Sequence, residues 1–531
     1  MKEKYYITTP IYYPSGKFHV GTAYSTILAD TIARYKKQRG FDTLFLTGLD
    51  EHGQKIEEKA KEANKDPKSY VDEMADAAKK LWKKLDISYD IFMRTTEEFH
   101  VEAVQKIFSY FLKNGDIYLG KYSGKYCVSC ETYVTDSKAN ENDNKCPDCG
   151  KELKSMEEEA YFFNMEKYRE RLIKYYEENP NFVLPVARKN ELFGSFIKEG
   201  INDLSITRTS FSWGIKPKEN DKHVIYVWLD ALTNYITALG FMGKDDSKFK
   251  KYWPADVHII GKDIIRFHAI YWPIFLMALD LHLPKRIYAH NWFVVKDEKM
   301  SKSKGNMIYP EDIVDKYELD AFKSYLLKEI PYDKDGNFSI EAFLEHYNYN
   351  LANDLGNLIT RTSGMMQSYR NGNIEEKEIK EIFENEKNKK EIDKINDLLN
   401  TSISNFESKF EDFYIAKSIE EIWKTINELN KYIDLTKPWE KYKEEQGGNE
   451  EIRKDLNVVL YNLYESLRKI AILISPFMED TANKIFEIFN IEKEYRQYEN
   501  FNINYIGDLK VDKTDPIFKR LKIEEELKRF K

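Results

Sequence analysis

The sequence predicts an α/β chain in which a parallel sheet is interrupted by an inserted cysteine-bearing segment and followed by a helical region. Three observations carry this. Strand-like and helix-like periodicities alternate near the N-terminus. All four cysteines fall in two CxxC pairs within one stretch that breaks that alternation. Beyond Asn348 strand signals vanish and amphipathic helical spacing takes over.

In chain order, Tyr5-Tyr6-Ile7-Thr8-Thr9 is aromatic and β-branched, as a buried strand is. Val20, Tyr24, Ile27, Leu28, Ile32 and Tyr35 follow with helical spacing, and Gly40 sits where that helix ends. Thr43–Thr47 is a second apolar strand, so the segment reads as a βαβ unit and implies parallel pairing. Residues 1–115 form the first half of the sheet domain and 116–222 the insertion, with a helix near Glu166–Glu178. Strand-like runs resume at His223–Trp228 and Val257–Ile260. A helical stretch Ile264–Leu281 follows, then Arg286–Ala289 and Trp292–Val295. Residues 223–290 thus complete the sheet, and 291–347 form a linking segment. Leu351, Leu355 and Leu358 open a helical domain over 348–490, and 491–531 is a mixed tail. The Lys/Glu-rich Glu375–Lys394 reads as a solvated helix face or connector.

Composition narrows the function class. Hydrophobic residues make up 42% and charged residues 32% of 531, a soluble globular profile. No apolar run approaches the ~18 residues that span a bilayer, and the N-terminus lacks a signal peptide's apolar stretch. A cytoplasmic enzyme without a membrane partner is the expectation. The net charge of −8 argues against a generic basic nucleic-acid coat, while leaving room for a local basic face.

Cys127-Val-Ser-Cys130 and Cys146-Pro-Asp-Cys149 are separated by 15 residues. Four thiolates so spaced suit one tetrahedral Zn²⁺ with no open position, hence a structural site; the alternative is four unrelated thiols. His19-Val20-Gly21-Thr22 lies at a helix start, where backbone N–H groups and the helix dipole favour an anion. Alone, this stretch reads as a capping turn rather than an anion site. Lys299-Met300-Ser301-Lys302-Ser303-Lys304 offers many phosphate donors and no acid, the alternative being a basic surface loop. It follows the strand-like Trp292–Val295, which locates it near the strand ends of the sheet.

Together these residues resemble a known family. HVGT followed far downstream by KMSKS is similar to the signature pair of class I aminoacyl-tRNA synthetases. TPIYYPSGKFHVGTAY, LTGLDEHGQKI, YVWLDALTNY, GKDIIRFHAIYWP and KMSKSKGN, in order over residues 4–440, resemble the methionyl-tRNA synthetase family. One position departs: the family's HIGH motif ends in His, and here Thr22 stands there, a hydroxyl donor without charge.

The resemblance implies a Rossmann-like catalytic domain split by a zinc-bearing connective insertion, a KMSKS segment and a helical anticodon-binding domain. It implies ATP-dependent ligation of L-methionine to tRNA(Met), initiator included, through methionyl-adenylate, for translation initiation and elongation. His19, Thr22, Lys299, Lys302 and Arg208 would serve catalysis. His19, Gly21, Gly261, Asp263, Lys299, Ser301, Lys302 and Ser303 would bind ATP with Mg²⁺. Ile11, Tyr13, Asp50, Trp228, Ala231, Leu232, Tyr235, Ile264, His268 and Trp272 would bind methionine, Asp50 accepting the ammonium. Asn357, Arg361 and Trp439 would read the anticodon, the first two sharing a helix face. The tail is too short for an appended OB-fold, so a monomer is expected.

Rival readings fare worse. Synthetases for isoleucine, valine or leucine carry a large editing insertion that 116–222 has no room for beside a zinc knuckle. A non-catalytic RNA-binding descendant would be expected to lose His19, Lys299 and Lys302. A zinc-ribbon interaction protein leaves the KMSKS segment and the aromatic set without a purpose.

Overall fold

The computed structural model describes residues 2–127, 132–134, 136–147, 150–198, 200–295, 298–299 and 307–530. They form two compact units, Met1–Ala33 with Phe41–His290, and Arg34–Gly40 with Asn291–Lys531. Among the described residues no helix is long and apolar enough to cross a membrane.

The first unit is built on a six-stranded sheet. Its strands are β1 (Lys4–Tyr12), β2 (Asp42–Leu49), β3 (Ile91–Arg94), β4 (Val183–Leu184), β5 (Val257–Gly261) and β6 (Ile287–His290). The spatial order is β3-β2-β1-β5-β6-β4, and every pairing is parallel. Parallel strands need crossovers that cover both faces, and the strands read accordingly: Tyr6, Ile7, Phe45, Leu46, Ile259 and Ile260 are all fully buried. Helix α1 (Val20–Gln38) joins β1 to β2, buries Ile27 and Leu28, and is followed by Gly40 at φ 84°. From β1 the sheet grows one way through β2 and β3 and the other way through β5 and β6. Beyond the C-terminal ends of β1 and β5 lies the switch point where open α/β sheets hold ligands.

Residues 116–222 are not wholly outside this sheet, because β4 adds its edge strand. The rest includes a long antiparallel hairpin, Ile117–Cys127 against Lys154–Phe163, in register from Ile117↔Phe163 to Tyr126↔Lys154. The strand read at His223–Trp228 is mostly absent. Only Val224–Ile225 is paired as a strand, with Thr207–Arg208, and helix α2 (Val227–Thr237) begins after the extended Tyr226. Asp230 in its first turn favours that start, since a carboxylate there meets the positive end of the helix dipole.

In the second unit, Phe293–Val295 is a strand but not one of the parallel sheet. It pairs with Glu298–Lys299 and Gly336–Asn337 in a small sheet of its own, so this strand is not a continuation of the parallel sheet. Helices follow: α3 (Asn357–Arg370), α4 (Glu386–Glu411), α5 (Ile415–Thr436), α6 (Pro438–Glu445) and α7 (Glu450–Ile474). Asn385 and Asn449 cap α4 and α7, each side-chain oxygen accepting two backbone N–H groups. Leu351, Leu355 and Leu358 are fully buried. The Lys/Glu-rich 375–394 stretch is amphipathic helix, with Ile379, Ile382 and Ile392 buried. The tail is stitched onto these helices. Leu509–Lys510 pairs with Asn373–Ile374, and the Arg468 guanidinium donates to the carbonyls of Tyr495, Asn500, Phe501 and Ile503.

Candidate functional site

The C-terminal end of β1 is irregular. Its register with β2 shifts between Thr8 and Ile11, a bulge centred on Thr9-Pro10 that re-aims Ile11 and Tyr13. Next to it, β2 approaches β3 so closely that a Cβ on Gly48 would stand 2.1 Å from the Met93 carbonyl oxygen. The segment leaving β2 is held on several sides. Asp50 N–H donates to the Tyr12 carbonyl at 3.0 Å and Glu51 N–H to Thr95 Oγ1 at 2.9 Å. Trp213 Nε1 donates to the Glu51 carbonyl at 2.6 Å, and Arg94 Nε to the Glu51 carboxylate at 2.7 Å. Asp50 is thereby fixed at the strand end, 8% exposed.

One wall of the crevice comes from α2 and from the turn and helix after β5. Ala231, Leu232, Tyr235, His268 and Trp272 are buried, and Ile11, Tyr13, Trp228 and Ile264 are part-buried against the same core. The Trp228 ring stacks on Phe267 at 3.7 Å with planes 4° apart. His268 Nδ1 lies 3.0 Å from the Ile264 carbonyl and must carry the proton to donate there. Its Nε2 is then a lone pair, accepting from the Tyr235 hydroxyl at 2.8 Å. Burial lowers the His268 pKa to about 4, so the ring is neutral at pH 7. The adjacent His258 is fixed in the same way. The Trp272 indole N–H donates to its Nε2 at 3.2 Å, leaving Nδ1 to donate to Thr8 Oγ1 at 2.8 Å, and burial holds its pKa well below the usual range. This wall spends its polar atoms on itself and presents aromatic faces.

His19 immediately precedes α1. Its Nδ1 accepts from Gly21 N–H at 3.0 Å, and a Cβ on Gly21 would stand 2.8 Å from the imidazole Cε1. Gly21 therefore makes room for the His19 ring against the helix start. At the end of β5, a Cβ on Gly261 would stand 2.6 Å from Asp263 Oδ1, so the bare backbone lets that carboxylate fold over the strand end. His290, at the end of β6, meets Ser25 Oγ of α1 at 2.6 Å.

Arg208 lies elsewhere in this unit, 1% exposed. Its guanidinium donates to the Ser205 and Thr207 carbonyls and sits 4.4 Å over the Tyr226 ring. Lys299 is described for its backbone, paired with Val294. Ser301, Lys302 and Ser303 lie outside the described residues, as do Cys130 and Cys149. Cys127 and Cys146 are buried with Val134, Ala139 and Leu153 in a small cluster. Gly150 N–H donates to the Cys146 carbonyl at 2.8 Å and Cys146 N–H to the Lys151 carbonyl at 2.7 Å. Cys127 and Cys146 are two of the four expected ligands, and among the described residues no group of three His, Cys, Asp or Glu side chains is placed to hold a metal ion.

In the second unit Asn357 and Arg361 lie one turn apart on α3 and face α5. Asn357 Nδ2 meets Asn430 Oδ1 at 3.3 Å, and Arg361 Nη2 meets Asp434 Oδ1 at 2.6 Å. Lys437, left-handed at φ 46°, ends α5 before Pro438, and Trp439 follows, 46% exposed.

Sequence reasoning did not single out His258, His52, His100, Asp230 or His290. Each has a hydrogen-bond partner far along the chain.

The family described as class I tRNA synthetases (M) matches residues 5–363, and the anticodon-binding domain of tRNA ligase matches 393–516. The chain is 50% identical to the methionine–tRNA ligase of Enterococcus faecalis, over 99% of this chain and 78% of that one. It is 47% identical to that of Bacillus subtilis, over 98% and 79%. Among solved structures, Mycobacterium tuberculosis methionyl-tRNA synthetase in complex with methionyl-adenylate superposes with a TM-score of 0.90 at 36% identity, over 98% of this chain and 100% of that one.

Proposed function

Since the chain belongs to the methionine–tRNA ligase family of class I tRNA synthetases, we propose that the crevice beyond β1 and β5 seats methionine and ATP side by side. The enzyme couples methionine to tRNA through methionyl-adenylate. Methionine's carboxylate attacks the α-phosphorus of ATP and pyrophosphate leaves. The terminal ribose of the tRNA then takes the methionyl group and AMP leaves. The first step needs alignment and charge stabilisation more than acid or base.

Tyr235, His268 and Trp272, with Ile11, Tyr13, Trp228, Ala231, Leu232 and Ile264, receive the thioether. A wall whose polar atoms are already mutually bonded offers dispersion and sulfur–aromatic contact and leaves no donor wanting a partner. Asp50 accepts the ammonium. His19, Gly21, Thr22 and the start of α1 meet the phosphates, and Gly261 and Asp263 the ribose. Lys299, Ser301, Lys302 and Ser303 add donors to the triphosphate. Mg²⁺ arriving with ATP supplies the remaining countercharge. Cys127, Cys130, Cys146 and Cys149 hold one structural Zn²⁺. Asn357, Arg361 and Trp439 read the anticodon, and the cytoplasm, where tRNA and ATP meet, is the place of action.

The single observation that supports this reading most is the neutral Tyr235–His268 pair with Trp272 at the switch-point crevice. Amino-acid-dependent ATP–pyrophosphate exchange across the twenty standard amino acids tests it. Exchange with methionine alone is expected; exchange driven by another amino acid, or none with methionine, contradicts it.

A further inference from the structure

Three buried side chains that this mechanism leaves unused lie behind the crevice. Asp230 is fully buried in the first turn of α2. Its Oδ2 lies 2.7 Å from His52 Nδ1 and its Oδ1 lies 2.7 Å from His100 Nε2. The other nitrogen of His100 lies 2.7 Å from Thr237 Oγ1, at the far end of the same helix. The three come from separate elements: His52 from the segment that leaves β2, Asp230 from α2, and His100 from the helix Glu98–Lys113.

Burial alone would raise the Asp230 pKa, but the two imidazoles hold it below the usual carboxylate value. An ionised carboxylate only accepts, so each imidazole donates one N–H to it. A buried ionic cluster is seldom more stable than an apolar replacement of the same volume. What it confers is a fixed position, because each bond is directional and none has water as a substitute. His52 is two residues from Asp50. Asp230 is on the helix that carries Trp228, Ala231, Leu232 and Tyr235, and adjoins Ala231. The cluster therefore ties the ammonium-facing segment to the wall that receives the thioether.

We propose that His52, Asp230 and His100 are positioning residues that set the spacing between Asp50 and the α2 wall, and so the enzyme's affinity for the amino acid. This rests on the assignment of Asp50 to the substrate ammonium. A misplacement near 1 Å is enough to cost about a hundredfold in a preorganised site.

The test is methionine-dependent ATP–pyrophosphate exchange with the full chain, per folded molecule, on His52→Ala, His52→Asn and Asp50→Asn. In His52→Ala the KM for methionine rises about tenfold or more while the KM for ATP stays within about twofold. His52→Asn, whose amide N–H reaches towards Asp230 from near the Nδ1 position, recovers most of that loss. A His52→Ala enzyme with unchanged methionine KM, or with both KM values raised alike, overturns the proposal. So does a folded His52→Asn variant that recovers nothing. A raised methionine KM in Asp50→Asn but not in His52→Ala overturns the proposal alone. No effect in Asp50→Asn overturns the assignment of Asp50, and the proposal with it.

Discussion

Tyr235 and His268 satisfy each other's polar atoms at 2.8 Å. In Tyr235→Phe the His268 Nε2 acceptor is left buried without its donor, which costs about 1–3 kcal/mol. Urea unfolding should show that loss and exchange kinetics a raised methionine KM. Unchanged values would mean the pair is incidental. The same ring gives a pH dependence. His268 has a pKa near 4 in the folded protein, against 6.5 for an unperturbed histidine. Below pH 6.5 the unfolded chain binds a proton that the folded one refuses, so stability falls with pH until about 4. The slope is at most about 1.4 kcal/mol per pH unit per such histidine. His258 acts in the same direction. Unfolding midpoints at pH 7.5 and 5.0 should differ by that sign, and His268→Gln should reduce the difference. Equal midpoints would contradict the buried neutral ring.

At the scale of elements, two glycines do different work. A Cβ on Gly48 meets a backbone oxygen of β3, which has no room to yield, whereas a Cβ on Gly21 meets the tip of the His19 side chain. Gly48→Ala should therefore lose about 3 kcal/mol or more, read by thermal unfolding. Gly21→Ala should keep its stability, since alanine is the better helix former by about 1 kcal/mol, yet lose exchange activity because the imidazole is pushed aside. The opposite pattern would show His19 to be a cap alone. What was legible in the sequence follows the same divide. The βαβ start was readable because α1 has a full helical stripe bounded by Gly40. His223–Trp228 misled because six unbroken apolar or aromatic positions lack a period, and a strand cannot be told from a buried helix start there. β4 is only two residues long and owes its place to β6, a partner a hundred residues on.

Across the whole molecule, the proposed function assigns tRNA selection to the helices of the second unit. Trp439, half exposed after a left-handed turn, is free to stack on a base, which is worth about 1–3 kcal/mol. Trp439→Ala should lower kcat/KM for tRNA charging about tenfold or more and leave ATP–pyrophosphate exchange unchanged. Equal loss of both would assign Trp439 to folding. The residues proposed to bind methionine were named as a set of family positions, but the His52–Asp230–His100 cluster was not legible, because its members are separated by tens of residues and each alone reads as ordinary.

On the proposed function, methionyl-adenylate lies in the switch-point crevice with its sulfur against the Tyr235–His268–Trp272 wall. A crystal structure with a non-hydrolysable methionyl-adenylate analogue tests it most directly. The sulfur should lie within about 4 Å of those rings, the ammonium on Asp50 and the phosphate at His19. An analogue bound away from β1 and β5, or turned with its sulfur to solvent, would contradict it.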